Sequence, residues 1–368
     1  MDSSVPDIVF DEEGICNYCK LHDKLDNAFP QGQEGHQILD KIIEKIKKTG
    51  KEKYNCIIGV SGGTDSTYLV HWAIKNGLKP LAVNLDNGWH SEIAVSNIKN
   101  SLEKLNVDLI TYVIEYEEIK DILLSYMKAS LPWIDIPTDI AIVSTLYKIA
   151  AKNRIKYVFV GNNFRTEGRQ PDEWTHGDGK QLKYIQKTFG KQKLKKFPNQ
   201  TLFDLLYFGM FKGIKLIKPF YYLDYNKNEA MKLLEKEYGW TYYGGHHHES
   251  LFTKFAISYW LPKKFNIDKR RVTFSALIRS GEIKRELALQ NIVLPPYDVK
   301  EMENDKNYVI KKLGINEEEF LRIWEKKNKT FNDYPSYYPF FNKIKKYSKL
   351  IYKYVLHYQP MMFFELDK

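Results

Sequence analysis

Six consecutive residues, Ser61-Gly62-Gly63-Thr64-Asp65-Ser66, combine hydroxyls, a carboxylate and paired glycines. They follow a short apolar run at residues 56–60 and lead into residues 64–76, whose apolar spacing suits a helix. A strand–turn–helix of this kind gathers backbone N–H groups and the positive end of a helix dipole at one point, which suits an anion. Gly62 and Gly63 permit the tight bend and let a ligand approach the backbone. Ser61 and Ser66 add hydroxyl donors. Asp65 is out of place beside a phosphate unless it caps the helix or reaches a magnesium ion that bridges to phosphate oxygens. No Gly-Lys-Ser/Thr ending follows, so this is not the Walker arrangement. A plain glycine turn between strand and helix is the other reading.

Further residues able to do chemistry fall after other apolar runs. Asp86 ends the second such run and precedes Gly88; it is either a nucleotide contact or the start of an Asx-turn. Gly161 and Asn162 end a later run, with Arg165, Glu167 and Arg169 just beyond. An arginine there could stabilise charge on a reacting phosphate or hold a carboxylate. His246-His247-His248-Glu249-Ser250 offers a general base, hydroxyl contacts or metal ligands, or else a helix entry capped by Ser250 or Glu249. Lys269 and Arg270 bring dense positive charge, for phosphates or a uronate, or simply a basic helix start. Cys16 and Cys19 have zinc-knuckle spacing but make only half of a site, which His22 or His36 could complete.

The elements that must position these groups alternate. Strand-like runs at 56–60, 81–84, 108–113, 157–160 and 215–218 are separated by helical spacing at 64–76, 93–105 and 117–151. This is the pattern of an α/β fold with a parallel sheet and helices on both faces. Ligands of such sheets bind at the carboxyl ends of the strands, where Ser61, Asp86 and Gly161 all fall. From about Asn226 the chain is mainly helical, with helices expected at 253–259 and 268–280. The expected organisation is a Cys-x-x-Cys segment with a helix at 1–50, an α/β nucleotide domain at 51–225 and a helical substrate or partner region at 226–368.

The 368 residues are 43% hydrophobic, enough for a sizeable core. No stretch reads as a membrane span or signal peptide, so a cytoplasmic protein is expected. Three cysteines do not make a disulfide framework. Net charge is +10, with lysine tracts at 41–53, 180–196 and 343–353. Such charge suits nucleotides, nucleic acid or an acidic partner, or marks solvated helix faces. The aromatic and lysine-rich tail at 334–368 reads as a docked helix or a membrane-surface segment.

The pattern Ser-Gly-Gly-x-Asp-Ser resembles the pyrophosphate loop of the PP-loop ATP pyrophosphatase superfamily, whose fold is HUP-like. Longer phrases sharpen the resemblance: residues 6–19, Asn84-Leu85-Asp86-Asn87-Gly88-Trp89, Pro137-Thr138-Asp139, residues 161–168, residues 243–250 and residues 265–271. Together they span roughly residues 5–290 and are similar to the N-acetyl sugar amidotransferases. The resemblance implies an ATP- and Mg2+-dependent, AMP-forming enzyme that turns a sugar acetamido group into an acetamidino group for bacterial surface glycans. It implies Ser61, Gly62, Gly63, Asp65, Ser66, Asp86, Gly161 and Asn162 around ATP. It also implies Asp65, Arg165, Glu167 and His248 in catalysis, with His246, His247, Glu249, Ser250, Lys269 and Arg270 lining the sugar site. Family members carry an earlier Cys-x-x-Cys, so a zinc site at Cys16 and Cys19 would need a start upstream of Met1 or other ligands. No glutaminase signature is visible, so ammonia is expected from separate glutaminase and cyclase-like subunits. No nucleic acid is expected as a partner. The competing expectations are a PP-loop enzyme of tRNA thiolation or lysidine formation, and a nucleotide-sensing scaffold.

Overall fold

The computed structural model describes residues 1–49, 53–245 and 248–351. Short apolar runs become β1 (Cys56–Gly59), β2 (Pro80–Asp86), β3 (Leu109–Val113), β4 (Tyr157–Phe159) and β5 (Lys215–Ile217). They form one parallel sheet in the order β3-β2-β1-β4-β5. Ile57 is the register point at the centre, paired with Leu81 on one side and Val158 on the other. The chain therefore builds outward from β1 in one direction and then returns to build in the other.

Two helices precede the sheet, α1 (Asn17–Ala28) and α2 (Gly32–Thr49). The crossovers hold α3 (Thr64–Lys75), α4 (Glu92–Leu105), α5 (Tyr116–Lys128) and α6 (Ile136–Lys152). Between β4 and β5 lie α7 (Phe164–Glu167), α8 (Asp172–Thr175), α9 (Gly179–Phe189) and α10 (Leu202–Leu206). After β5 the described chain is helical: α11 (Lys227–Tyr238), α12 (Leu251–Phe255), α13 (Leu261–Phe265), α14 (Arg270–Arg279), α15 (Arg285–Ile292), α16 (Val299–Leu313), α17 (Glu317–Trp324) and α18 (Tyr338–Ile351). Among the described residues no helix is long and apolar enough to cross a membrane.

Strand side chains alternate between faces. Cys56, Ile58, Ala82 and Phe159 bury against Leu39, Ile43 and Ile46 of α2, Leu69 and Val70 of α3, and Ile98 of α4. Ile57, Leu81, Val83 and Val158 bury on the other face against Leu146 and Ile149 of α6. The near-continuous apolar strands follow from this double cover. A larger core lies past the carboxyl end of β2, where Leu85 and Trp89 meet α5, α9, α12 and α16. The helical C-terminal region is thus packed directly on the edge where ligands of parallel sheets bind.

The segment after β5 returns to α3. His71 Nδ1 and the Tyr238 hydroxyl lie 2.5 Å apart, and Tyr68 meets Tyr225 at 5.3 Å between ring centres, so α11 is fastened along α3. Burial holds the His71 imidazole below its ordinary pKa, with Lys75 adding to the effect. The unfolded chain takes up this proton near the ordinary value, so below about pH 6.5 it binds more protons than the folded chain. Stability is therefore expected to be intact above that value and to fall as pH drops through the folded pKa. Urea midpoints at about pH 7.5 and about pH 5.5 check this, with a shallower acid slope expected for His71→Gln.

Candidate functional site

The turn after β1 is held by its own side chains. The Ser61 N–H donates to Ser66 Oγ at 3.2 Å, and the Gly63 N–H donates to Ser61 Oγ at 3.3 Å. Ser66 Oγ and Thr67 Oγ1 donate to the Gly63 carbonyl at 3.3 and 2.8 Å. Gly62 adopts φ +79°, and a Cβ there would stand 2.3 Å from the Ala94 carbonyl oxygen. Only glycine meets both demands. The Gly62 carbonyl accepts from Trp240 Nε1 at 2.9 Å and Asn97 Nδ2 at 3.2 Å, which fixes the bend to α4 and the chain beyond α11. At Gly161 a Cβ would stand 3.3 Å from both Asp65 Cβ and Asp65 C. That glycine lets the end of β4 close onto the first turn of α3. The sheet order makes β1 and β4 the pair at which chain direction diverges, the place where such sheets open a crevice.

Asp65 does not cap α3. Its Oδ1 accepts from the Tyr225 hydroxyl at 2.5 Å, and its Oδ2 meets Lys227 Nζ at 3.3 Å. Burial pulls the Lys227 pKa down, but Asp65, Tyr243 and Glu167 together more than reverse this, so the ammonium is firmly charged. Burial and then Asp65 push the Tyr225 phenol well up, so it remains a neutral donor. The Thr64 N–H donates to the Tyr243 hydroxyl at 3.4 Å, and the same hydroxyl lies 3.1 Å from where a Gly63 Cβ would stand. Glu249 Oε1 lies 3.6 Å from that point. Thr64 Oγ1 is buried with no hydrogen-bond partner among the described residues. The loop thus stands against Tyr243, Glu249 and Lys227, with long hydrogen bonds that a phosphate oxygen can replace.

A second group adjoins it. Lys269 Nζ sits 4.1 Å from the centre of the Trp133 ring, and Trp133 Nε1 donates to Asp139 Oδ2 at 2.7 Å. Burial lowers the Lys269 pKa, while Asp139, Glu167 and Asp135 act to raise it. Glu167 thus acts on both Lys227 and Lys269, linking the loop to this group. Asp135 Oδ2 accepts from Thr253 Oγ1 at 2.5 Å, which ties α12 to the start of α6.

Several expected site residues do other work. Arg165 is 5% exposed; it pairs with Asp26 at 2.6 Å and donates to the Tyr221 and Phe29 carbonyls at 2.7 and 2.8 Å. Its guanidinium clamps α1 to the segment after β5, and these contacts account for its charge within the fold. Arg270 forks onto Asp268 and donates to the carbonyls of Asn291, Ile292 and Leu294, closing the end of α15. These bonds pack the start of α14 against the end of α15. Ser250 caps α12 by accepting the Thr253 N–H at 3.4 Å, and it bridges to His90. Asp86 forms the Asx-turn, accepting the Gly88 N–H at 2.8 Å; His90 and that N–H hold its pKa below the usual range. Asn162 is exposed at the end of β4. The His248 ring stacks on Tyr297 at 5.5 Å. His246 and His247 lie outside the described residues, as does the tail beyond Ile351.

Cys16 caps α1, and its Sγ lies 3.4 Å from that of Cys19. Among the described residues no group of three or more His, Cys, Asp or Glu is placed to hold a metal. His22 Nε2 faces Ser280 Oγ at 3.4 Å, and His36 faces Asp224 at 3.7 Å. A zinc ion takes four donors, so the residues present do not fit it, and the expectation of zinc is corrected. Cys56 is fully buried and its thiol is pushed up to about 12, which makes it an inert core residue.

Residues 249–348 match the family described as LPS biosynthesis protein WbpG-like, C-terminal domain. Among solved structures the chain is similar to NMN synthetase from Francisella tularensis, at 15% identity over 68% of this chain and 95% of that one, with a TM-score of 0.28. It is similar to NH3-dependent NAD synthetase from Campylobacter jejuni, at 14% identity over 73% and 98%, with a TM-score of 0.29. The tRNA thiolase NcsA from Methanococcus maripaludis matches at 12% identity over 77% and 90%, with a TM-score of 0.31. No curated protein sequence matches the chain.

Tyr225, Lys227 and Tyr243 were not singled out from sequence. The available signal was position: Lys227 opens the helix after β5, and so falls at the carboxyl edge of the sheet. Arg165→Met is expected to lower stability by about 2 kcal/mol, below the range for fully enclosed pairs because Asp26 is 42% exposed. Urea unfolding measures the loss, and pyrophosphate binding by the folded variant is expected to be unchanged.

Proposed function

We propose that the chain is an ATP-dependent, AMP-forming synthetase that activates the amide oxygen of an N-acetylated sugar and delivers it to ammonia. The observation that carries the reading is the glycine-shaped loop of residues 61–66 at the β1/β4 crevice, with the charged Lys227 beside it. Helix dipole, loop N–H groups and Lys227 together favour a leaving pyrophosphate. The family match at residues 249–348 supports a role in surface polysaccharide synthesis.

In this reading the acetamido oxygen attacks the α-phosphorus of ATP and forms a P–O bond as the bond to pyrophosphate breaks. Ammonia then adds to the activated carbon and AMP departs with the former amide oxygen, leaving an acetamidino group. An unactivated amide carbon is a poor electrophile with a poor leaving group, and adenylation corrects both. Magnesium binds through one or two carboxylates and substrate phosphates, and the outer lone pairs of Asp65 fit that demand. When bound it would neutralise phosphate charge. Ser61 and Ser66 orient the pyrophosphate, and Lys227 balances its charge. Tyr243 and Glu249 close the rim over Gly63, and Glu167, Asp139 and Lys269 line the acceptor side. Ammonia comes from a separate glutaminase-type subunit or from solution. The tRNA-thiolation alternative loses support because Cys56, the cysteine nearest the loop in sequence, is enclosed in the core.

The test is to incubate the protein with ATP, ammonium and a panel of N-acetylated nucleotide sugars. AMP, pyrophosphate and a slightly lighter, more basic sugar are expected by mass spectrometry. Lys227→Met is expected to lower kcat by about a hundredfold or more, with the fold retained by circular dichroism. Formation of ADP and orthophosphate would overturn the reading.

A further inference from the structure

Near the amino-terminal ends of β4 and β5, at the opposite end of the sheet from the candidate site, α10 continues into a π-helical turn at Tyr207–Phe211. The segment presents Phe203, Leu206, Tyr207, Met210 and Phe211 to solvent, at 81, 43, 47, 75 and 83% exposure. Their spacing places them along a single helix face. The opposite face is anchored: Phe208 is 7% exposed and stacks on Tyr147 at 5.8 Å and 11°. The Ile214 N–H donates to the Phe208 carbonyl at 3.0 Å and leads the chain into β5. The apolar face is therefore a fixed feature of the fold, and two phenylalanines in it are almost fully solvated.

The segments that carry it and adjoin it are mostly positive. Segments 147–160 and 201–215 carry Lys148, Lys152, Arg154, Lys156, Lys212 and Lys215 against a lone carboxylate, Asp204. Asp204 is turned onto its own helix start, accepting from the Thr201 N–H and hydroxyl at 2.7 and 2.6 Å. Lys212 Nζ lies 5.3 Å from the centre of the Tyr207 ring, so cation and aromatic rim stand at the same level. Bulky exposed apolar side chains in a lysine-rich stretch match the boundary between acyl chains and anionic headgroups.

We propose that this helix seats the protein on an anionic bilayer surface, by insertion of Phe203, Met210 and Phe211 and contact of Lys212 and Lys215 with the headgroups. Because the patch lies at the far end of the sheet, the β1/β4 crevice remains open when it is seated. The proposal does not depend on the reaction assigned above.

The full chain is to be sedimented with vesicles of equal parts phosphatidylglycerol and phosphatidylcholine, and with phosphatidylcholine alone. Binding to the anionic vesicles is expected, weakened by salt. The Phe203→Ser/Phe211→Ser variant is expected to bind about tenfold more weakly or worse, with an unchanged thermal melt because both rings are exposed. Lys212→Glu/Lys215→Glu is expected to lose the preference for anionic lipid. Val113→Ser, which removes an exposed apolar group from the other edge of the sheet, is expected to bind as the parent does. Equal binding by parent and phenylalanine variant would overturn the proposal. So would a lipid-free dimer, seen by sedimentation velocity, that the same variant abolishes, since the face would then be a contact between copies.

Discussion

The site is organised by one buried-edge carboxylate. Asp65 stands in the first turn of α3, where the helix dipole already stabilises negative charge. It draws in the Tyr225 hydroxyl at 2.5 Å and the Lys227 ammonium at 3.3 Å from the segment after β5. The last strand of the sheet, the start of α11 and the loop after β1 are thereby brought to a single point. Removing the carboxylate would leave Lys227 partly buried without its main counter-charge, a costly arrangement. The pairing also keeps a cation beside the loop before any anion arrives, so little reorganisation accompanies binding.

From that point, charge alternates away from the loop: Asp65, Lys227, Glu167, Lys269, then Asp139 and Asp135. Such a row permits several charged groups to share a partly enclosed space, each offset by its neighbours. The contacts that close the space come from the C-terminal half. The Ser91 N–H donates to the Glu249 carbonyl at 2.9 Å, and the Leu251 N–H donates to the Trp89 carbonyl at 2.9 Å. This stitching sets Glu249 beside Gly63. The matched C-terminal family segment begins at residue 249, so it starts beside Gly63 of the loop.

Much of the architecture was legible because it follows from local rules. Apolar runs flanked by helical periodicity gave all five parallel strands, and the glycine-rich turn after β1 marked the anion-binding end. Strand order was not legible, since it depends on which edge the chain joins after α6. The packing contacts of Arg165 and Arg270 were not legible for a related reason. Sequence displays a charge but not the carbonyls it will meet, and both guanidiniums close backbone ends in the folded chain. Lys227 and Tyr225 were missed because their value arises only when β5 returns them to α3. Ser250 and Asp86 were legible as polar groups near the site, and their observed bonds are the cap and turn that their side chains make locally.

The central claim is that the loop of residues 61–66 grips the departing pyrophosphate while an acetamido oxygen attacks the α-phosphorus. The most direct measurement follows that oxygen. With an N-acetylated acceptor carrying heavy oxygen in its acetamido carbonyl, the account requires the label to appear in the phosphate of AMP, with none in pyrophosphate. Label retained in the sugar while ATP is consumed, or label found in orthophosphate, would contradict it.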